Sequence, residues 1–243
     1  MRCSLLINKA DIITEWPIWF PDHLLNQLTS LLYFEDFNED MDDLDHGDGT
    51  PGTGQIRIAY QPFAVWLASF KKLEILSVSF IVEAKYYFEA VQKYPGVSAW
   101  QQLSKLSLTS LLLMPKTDRN ETDTLLLTAA TAIVRMPKLK LLELWYGRRG
   151  TACLFRYRIS RDGIAEIFCA GTWELALQPR VLDAWTKVSH LRTGREIRVM
   201  EPRRIDSSLI RSHGDAIHHL GLLTEVVHPV SLREIRREAR DWS

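Results

Sequence analysis

The feature that most constrains this sequence is a leucine hexad of the form LxxLxL that recurs four times. Its anchors are Leu28, Leu31 and Tyr33, then Leu73, Leu76 and Val78, then Leu103, Leu106 and Leu108, and finally Leu139, Leu142 and Leu144. The last two anchors of each hexad stand two residues apart. On an extended strand they enter one core while the residues between them face the other way. Helical signals fill the gaps. Ala84, Tyr87, Phe88 and Val91 recur at i, i+3, i+4 and i+7, and Pro95 with Gly96 ends that run. Asn120 can cap a second helix whose stripe is Leu126, Ala129, Ala130, Ile133 and Met136, stopped by Pro137. A further helix is expected from Pro62 to Phe70.

Strand and helix alternating on one anchor is the logic of a leucine-rich repeat, in which parallel strands form one face and helices the other. The offsets of 30 and 36 residues from Leu73 to Leu103 to Leu139 are long and unequal, so the expectation is a degenerate α/β solenoid. The competing reading is an ordinary α/β sheet with leucine-rich buried strands. Beyond Gly147 the rhythm becomes period two. Cys153, Phe155, Tyr157 and Ile159 alternate with Leu154, Arg156 and Arg158, and Arg161, Asp162 and Gly163 turn the chain into Ile164 to Ala170. This predicts an antiparallel hairpin closing the stack, within a C-terminal cap over about 148–243. A helix opens at Gln178 and Pro179 with Val181, Trp185 and Val188 on one face, a short strand follows from Glu196 to Met200, and Ser231 with Glu234 forms a capping box for a last helix. The whole chain, 1–243, reads as one domain.

With 243 residues and 46% hydrophobic composition, the chain can bury a large core without staples. Cys3, Cys153 and Cys169 are an odd set without CxxC spacing, so they read as reduced thiols and not as a disulfide framework. No apolar run is long enough to span a bilayer, and the expected location is intracellular, cytoplasmic or nuclear. Formal charge is zero, so binding to nucleic acid would need a local patch. From Glu35 to Asp48 eight acids occur without one Lys or Arg, and Gly and Pro follow to Gly54. The segment 35–54 therefore reads as a flexible acidic loop.

No GxSxG, GxGxxG, phosphate loop or HExxH occurs, and no enzyme activity or cofactor is expected. Two alternatives carry specific residues. His213, Asp215 and His218, with His219 and His228 nearby, could serve a metal-dependent hydrolase, although a spacing of five between His213 and His218 suits a shared metal poorly. Arg148, Arg149, Arg156, Arg158 and Arg161 lie among Trp145, Tyr146, Phe155 and Tyr157 and could contact nucleic acid, although the alternation sends the aromatic rings into the core. The favoured reading is a protein-interaction module. Its candidate surface is the outward strand positions Ser77, Ser79, Lys105, Ser107, Thr109, Glu143 and Trp145, with Arg148 and Arg149 beside the tryptophan.

Several segments carry a family resemblance. Trp100–Ser110, Arg135–Leu139, Leu142–Trp145 with Gly147, Leu154–Tyr157, Gly171–Leu175 and Ser212–Ile217, together with Glu35–Glu39 and Leu76–Phe80, look like the C-terminal region of a large family of fungal F-box-like proteins. The resemblance covers most of the chain from about Leu28 onward. It implies a target-recognition role in recruitment to a ubiquitin ligase, with another protein as partner. The one N-terminal candidate for an F-box, Phe20–Leu25, runs directly into the first hexad, so binding of the ligase adaptor is not expected.

Overall fold

The computed structural model describes residues 3–9, 27–37, 39, 67, 70, 72–93 and 98–241, the first stretch by its backbone alone. The framework is a single nine-stranded mixed sheet. Strands β1 (Cys3–Lys9), β2 (Leu28–Glu35), β3 (Ile75–Ser79), β4 (Lys105–Thr109) and β5 (Leu141–Arg148) lie side by side in chain order, all parallel. Strands β6 (Thr151–Ile159) and β7 (Ala165–Gly171) extend the sheet antiparallel, and the two-residue strands β8 (Arg198–Val199) and β9 (Arg203–Arg204) pair in parallel with β7.

The hexads generate the parallel half as their spacing predicts. The register sets Leu31, Leu76, Leu106 and Leu142 in one row and Tyr33, Val78, Leu108 and Leu144 in the next. All eight are buried in the larger apolar core. Against them pack α1 (Ala84–Lys93), α2 (Arg119–Ile133) and α3 (Pro179–Thr193), each touching the next. Helix α2 is capped two residues earlier than Asn120 suggests: the Asp118 carboxylate accepts the Asn120 N–H at 2.7 Å. Helix α3 starts on Pro179, buries Val181, Trp185 and Val188, and ends at Gly194, whose φ of 68° is the left-handed conformation that a glycine adopts without strain.

A second core covers the opposite sheet face. Helix α4 (His213–Leu220) packs on β5, β6 and α5 (Pro229–Asp241), and Ala216, Ile217, Leu220, Val226, Val227 and Ile235 meet Phe34, Phe80, Trp145 and Leu154 there. The fold is therefore mixed α/β, with helices on both faces of the sheet. The hairpin expected to close the stack is present as β6 and β7, where it widens the sheet. Helix α5 begins at Pro229, two residues before the capping box, and the strand read from Glu196 to Met200 contracts to β8. Strand β1 was not anticipated, because Leu5, Leu6 and Ile7 lack the hexad. The segment 40–54 and most of the helix expected over Pro62–Phe70 lie outside the described residues. Among those described, no helix is long and apolar enough to cross a membrane.

Candidate functional site

Alternation places the candidate strand positions on one sheet face, but their expected exposure has to be corrected. Across β3 to β7 the register aligns Ser77, Ser107, Glu143, Arg156 and Phe168 in a row, with Thr109, Trp145, Leu154 and Ala170 in the next. Ser77, Ser79, Ser107, Thr109, Glu143 and Trp145 are all 0% exposed. Period two reports which residues share a face and not whether another layer lies over it, and the α4–α5 layer packs on this side of the sheet. Of the strand positions, Lys105 at the start of β4 is half-buried; beside the tryptophan, Arg148 is half-buried and Arg149 exposed.

The covered face carries a polar seam. Glu143 accepts hydrogen bonds from Arg156 Nε at 2.8 Å and from the backbone N–H groups of Leu223 and Thr224, both at 2.9 Å. Arg156 also donates to the Gly221 carbonyl at 2.6 Å and lies over the Phe168 ring. Beside these satisfied charges, the buried hydroxyls of Ser77, Ser79 and Ser107 and the Trp145 indole N–H have no hydrogen-bond partner among the described residues.

At the C-terminal ends of the parallel strands a second polar group forms, around His213. Its Nδ1 lies 3.1 Å from Glu39 Oε1 and its Nε2 3.1 Å from Asp36 Oδ1. Glu39 also accepts the backbone N–H groups of His213 and Arg149, each at 2.6 Å. Phe37 stacks on the imidazole with centroids 4.5 Å apart, and Phe34 and Phe80 complete an aromatic enclosure. Phe80 enters through a φ of 64°, held by its N–H donating to Thr109 Oγ1 at 2.7 Å. Burial alone would lower the His213 pKa, yet Asp36 and Glu39 outweigh it and raise it from 6.5 to about 9. Burial alone would raise that of Glu39, yet His213 and the two N–H donors outweigh it and hold it below 4.5. An imidazolium clamped between two carboxylates is a poor proton acceptor at neutral pH. The group works as an ionic clasp between the segment after β2, the β5–β6 turn and α4. Nearby, burial pushes up the pKa of Glu83, which accepts the Ser110 hydroxyl and the Leu111 N–H.

The remaining sequence candidates are dispersed. Asp215 binds Arg236 at 2.8 Å and the Arg211 N–H at 3.3 Å, so His213 and Asp215 take separate partners. Among the described residues, no group of three or more His, Cys, Asp or Glu could hold a metal ion. Arg156 is internal, and Arg158 pairs with Glu166 at 2.7 Å, which also binds Arg198 at 3.2 Å. Arg156 is thus paired with Glu143 and Arg158 with Glu166, while the Glu39 carboxylate accepts the Arg149 backbone N–H.

An open groove of about 780 Å³ lies at the other end of the sheet, where the parallel strands begin. Its floor is laced by the main chain. Glu74 N–H donates to Thr29, Ser104 and Lys105 N–H to Glu74, Lys140 and Leu141 N–H to Ser104, and Ile159 N–H to Lys140. One wall is the end of α2 with Val134, Pro137 and Lys138, and the other is the end of α3 with Leu191 and Arg192. Arg192 ties the walls together by donating to the carbonyls of Ile133, Met136, Pro137 and Leu139. Leu191 is 73% and Val134 49% exposed. Leu191 falls three residues after Val188, in step with the buried stripe of α3, so its spacing carries no signal of exposure and the groove is not legible from it. Nor could spacing pair Glu39 with His213 across 174 residues.

Residues 21–228 match the model of a family described as "Family of unknown function (DUF6546)". No curated protein and no solved structure matches the chain.

Proposed function

We infer a function from the premise that the chain belongs to this family of unknown function: it is a non-catalytic domain that binds another protein. The observation that carries this reading is the groove, where Leu191 and Val134 stand in solvent against a fixed main-chain floor. Exposed aliphatic side chains gathered in a concave, pre-organised surface are what a partner can bury. The distribution of chemical groups supports the same reading. The acid and base side chains at the strand ends, Glu39, His213, Asp36 and Glu83, are engaged with one another or with the backbone, and all but the half-buried Asp36 are out of solvent. The segments that resemble fungal F-box-like proteins support a narrower version, in which the bound protein is a target for recognition. The parallel half, with α1 and α2 on one face, supports descent from a degenerate leucine-rich repeat.

Two measurements test the reading together. Affinity purification of the tagged chain, followed by reconstitution from purified components in the ultracentrifuge, is expected to yield one saturable protein complex. A panel of chromogenic ester, phosphoester and glycoside substrates is expected to show no turnover above buffer. Turnover that disappears in Glu83→Gln or His213→Gln would contradict the reading, and so would the absence of any complex that can be reconstituted.

A further inference from the structure

We propose that the groove binds an acidic peptide segment of the partner, one that places an aliphatic side chain between Val134 and Leu191 and carboxylates over Lys138 and Lys140. This deepens the partner-binding reading and rests on it. The apolar half of the argument is the exposure of Val134 and Leu191 on opposite walls. The charge half is an imbalance. The groove is lined by the cations Lys138, Lys140 and Arg192 against the single carboxylate of Glu74, and among the described residues none of the three cations has an ion pair. Among the described residues Lys138 donates to the neutral Gln102 side chain, and Arg192 donates to backbone carbonyls. A partner with carboxylates at this rim would gain attraction and faster encounter, whereas a basic segment would meet like charge.

The walls are also fixed before the partner arrives. Arg192 locks the turn between α2 and β5, and Gly194 ends α3 beside it, so binding need not order the groove. An extended peptide is the occupant that an open trough with one apolar strip and one basic rim fits, since alternate residues can then address the two.

The test is selection of a random displayed peptide library on the immobilised full chain, followed by fluorescence anisotropy of the enriched peptides. Sequences with Leu, Ile or Val flanked by Asp or Glu are expected to dominate, and their affinity is expected to fall at least tenfold with added salt. Leu191→Glu is expected to weaken them at least tenfold with no change in thermal midpoint, because the side chain is already mostly in solvent. Lys138→Glu combined with Lys140→Glu is expected to remove the acidic preference. Enriched peptides without acidic residues, or acidic peptides indifferent to Leu191→Glu, would overturn the proposal. A dimer of the free chain that dissociates on Leu191→Glu would overturn it too, assigning the groove to a second copy. If the reconstituted partner complex survives Leu191→Glu, the groove assignment fails while the partner-binding reading stands.

Discussion

A carboxylate without access to water must find its partners inside the fold, and Glu143 finds three, in Arg156 and two backbone N–H groups. Glu143→Ala strands the Arg156 charge and is expected to cost about 3–5 kcal/mol in urea unfolding. The seryl hydroxyls in the same row behave oppositely. Ser107 is fully buried and its hydroxyl has no hydrogen-bond partner among the described residues, so Ser107→Ala removes a desolvated group without breaking a bond to them. It is expected to be neutral or to stabilise by up to about 1 kcal/mol, with an unchanged or higher unfolding midpoint. Serine at alternate positions reads as solvent-facing in a sequence, which is why the strand face looked like a surface. The His213 clasp sets a pH window. A His pKa raised to about 9 contributes stability that is complete below about 6.5 and is lost as pH rises through 9. A Glu39 pKa lowered from 4.5 contributes stability present above 4.5 and lost as pH falls through its folded value. Urea midpoints are therefore expected to decline between about 6.5 and 9, beyond the loss that the raised pKa of Glu83 begins above 4.5, and His213→Gln is expected to remove the alkaline decline.

At the scale of elements, what the sequence discloses depends on how local the cause is. Strands β2 to β5, helices α1, α2 and α3 and the β6–β7 hairpin follow from apolar periods and turn residues within each segment, and each lies where those signals put it, whereas β1 carries no hexad. The attachment of α4 to the sheet has no local signal, since it depends on contacts such as Glu39 with His213 and on a close approach at Gly147. A Cβ at Gly147 would sit 2.4 Å from the Cβ of Ala216 in α4, a short branch that cannot swing aside. Gly147→Ala is expected to cost about 1–3 kcal/mol. Amide exchange should show the loss first in α4 and only weakly in α2, because α2 belongs to the core on the other face.

For the whole molecule, the described layers cover both faces of the sheet, and its two ends differ. The C-terminal ends of the parallel strands, the usual site of chemistry in open α/β sheets, are filled here by Phe34, Phe80, Trp145 and the His213 clasp. The N-terminal ends carry the basic groove with its two exposed aliphatic residues. The proposed partner surface thus lies at the strand entrances and not on the strand face. The most direct check is to titrate a selected acidic peptide into the isotopically labelled chain and follow backbone amide resonances. The account predicts perturbations confined to residues around Glu74, Ser104, Val134 to Lys140 and Leu191 to Gly194, with Ser77, Ser107 and Glu143 unmoved. Perturbations centred on those three buried residues, with the groove silent, would contradict it.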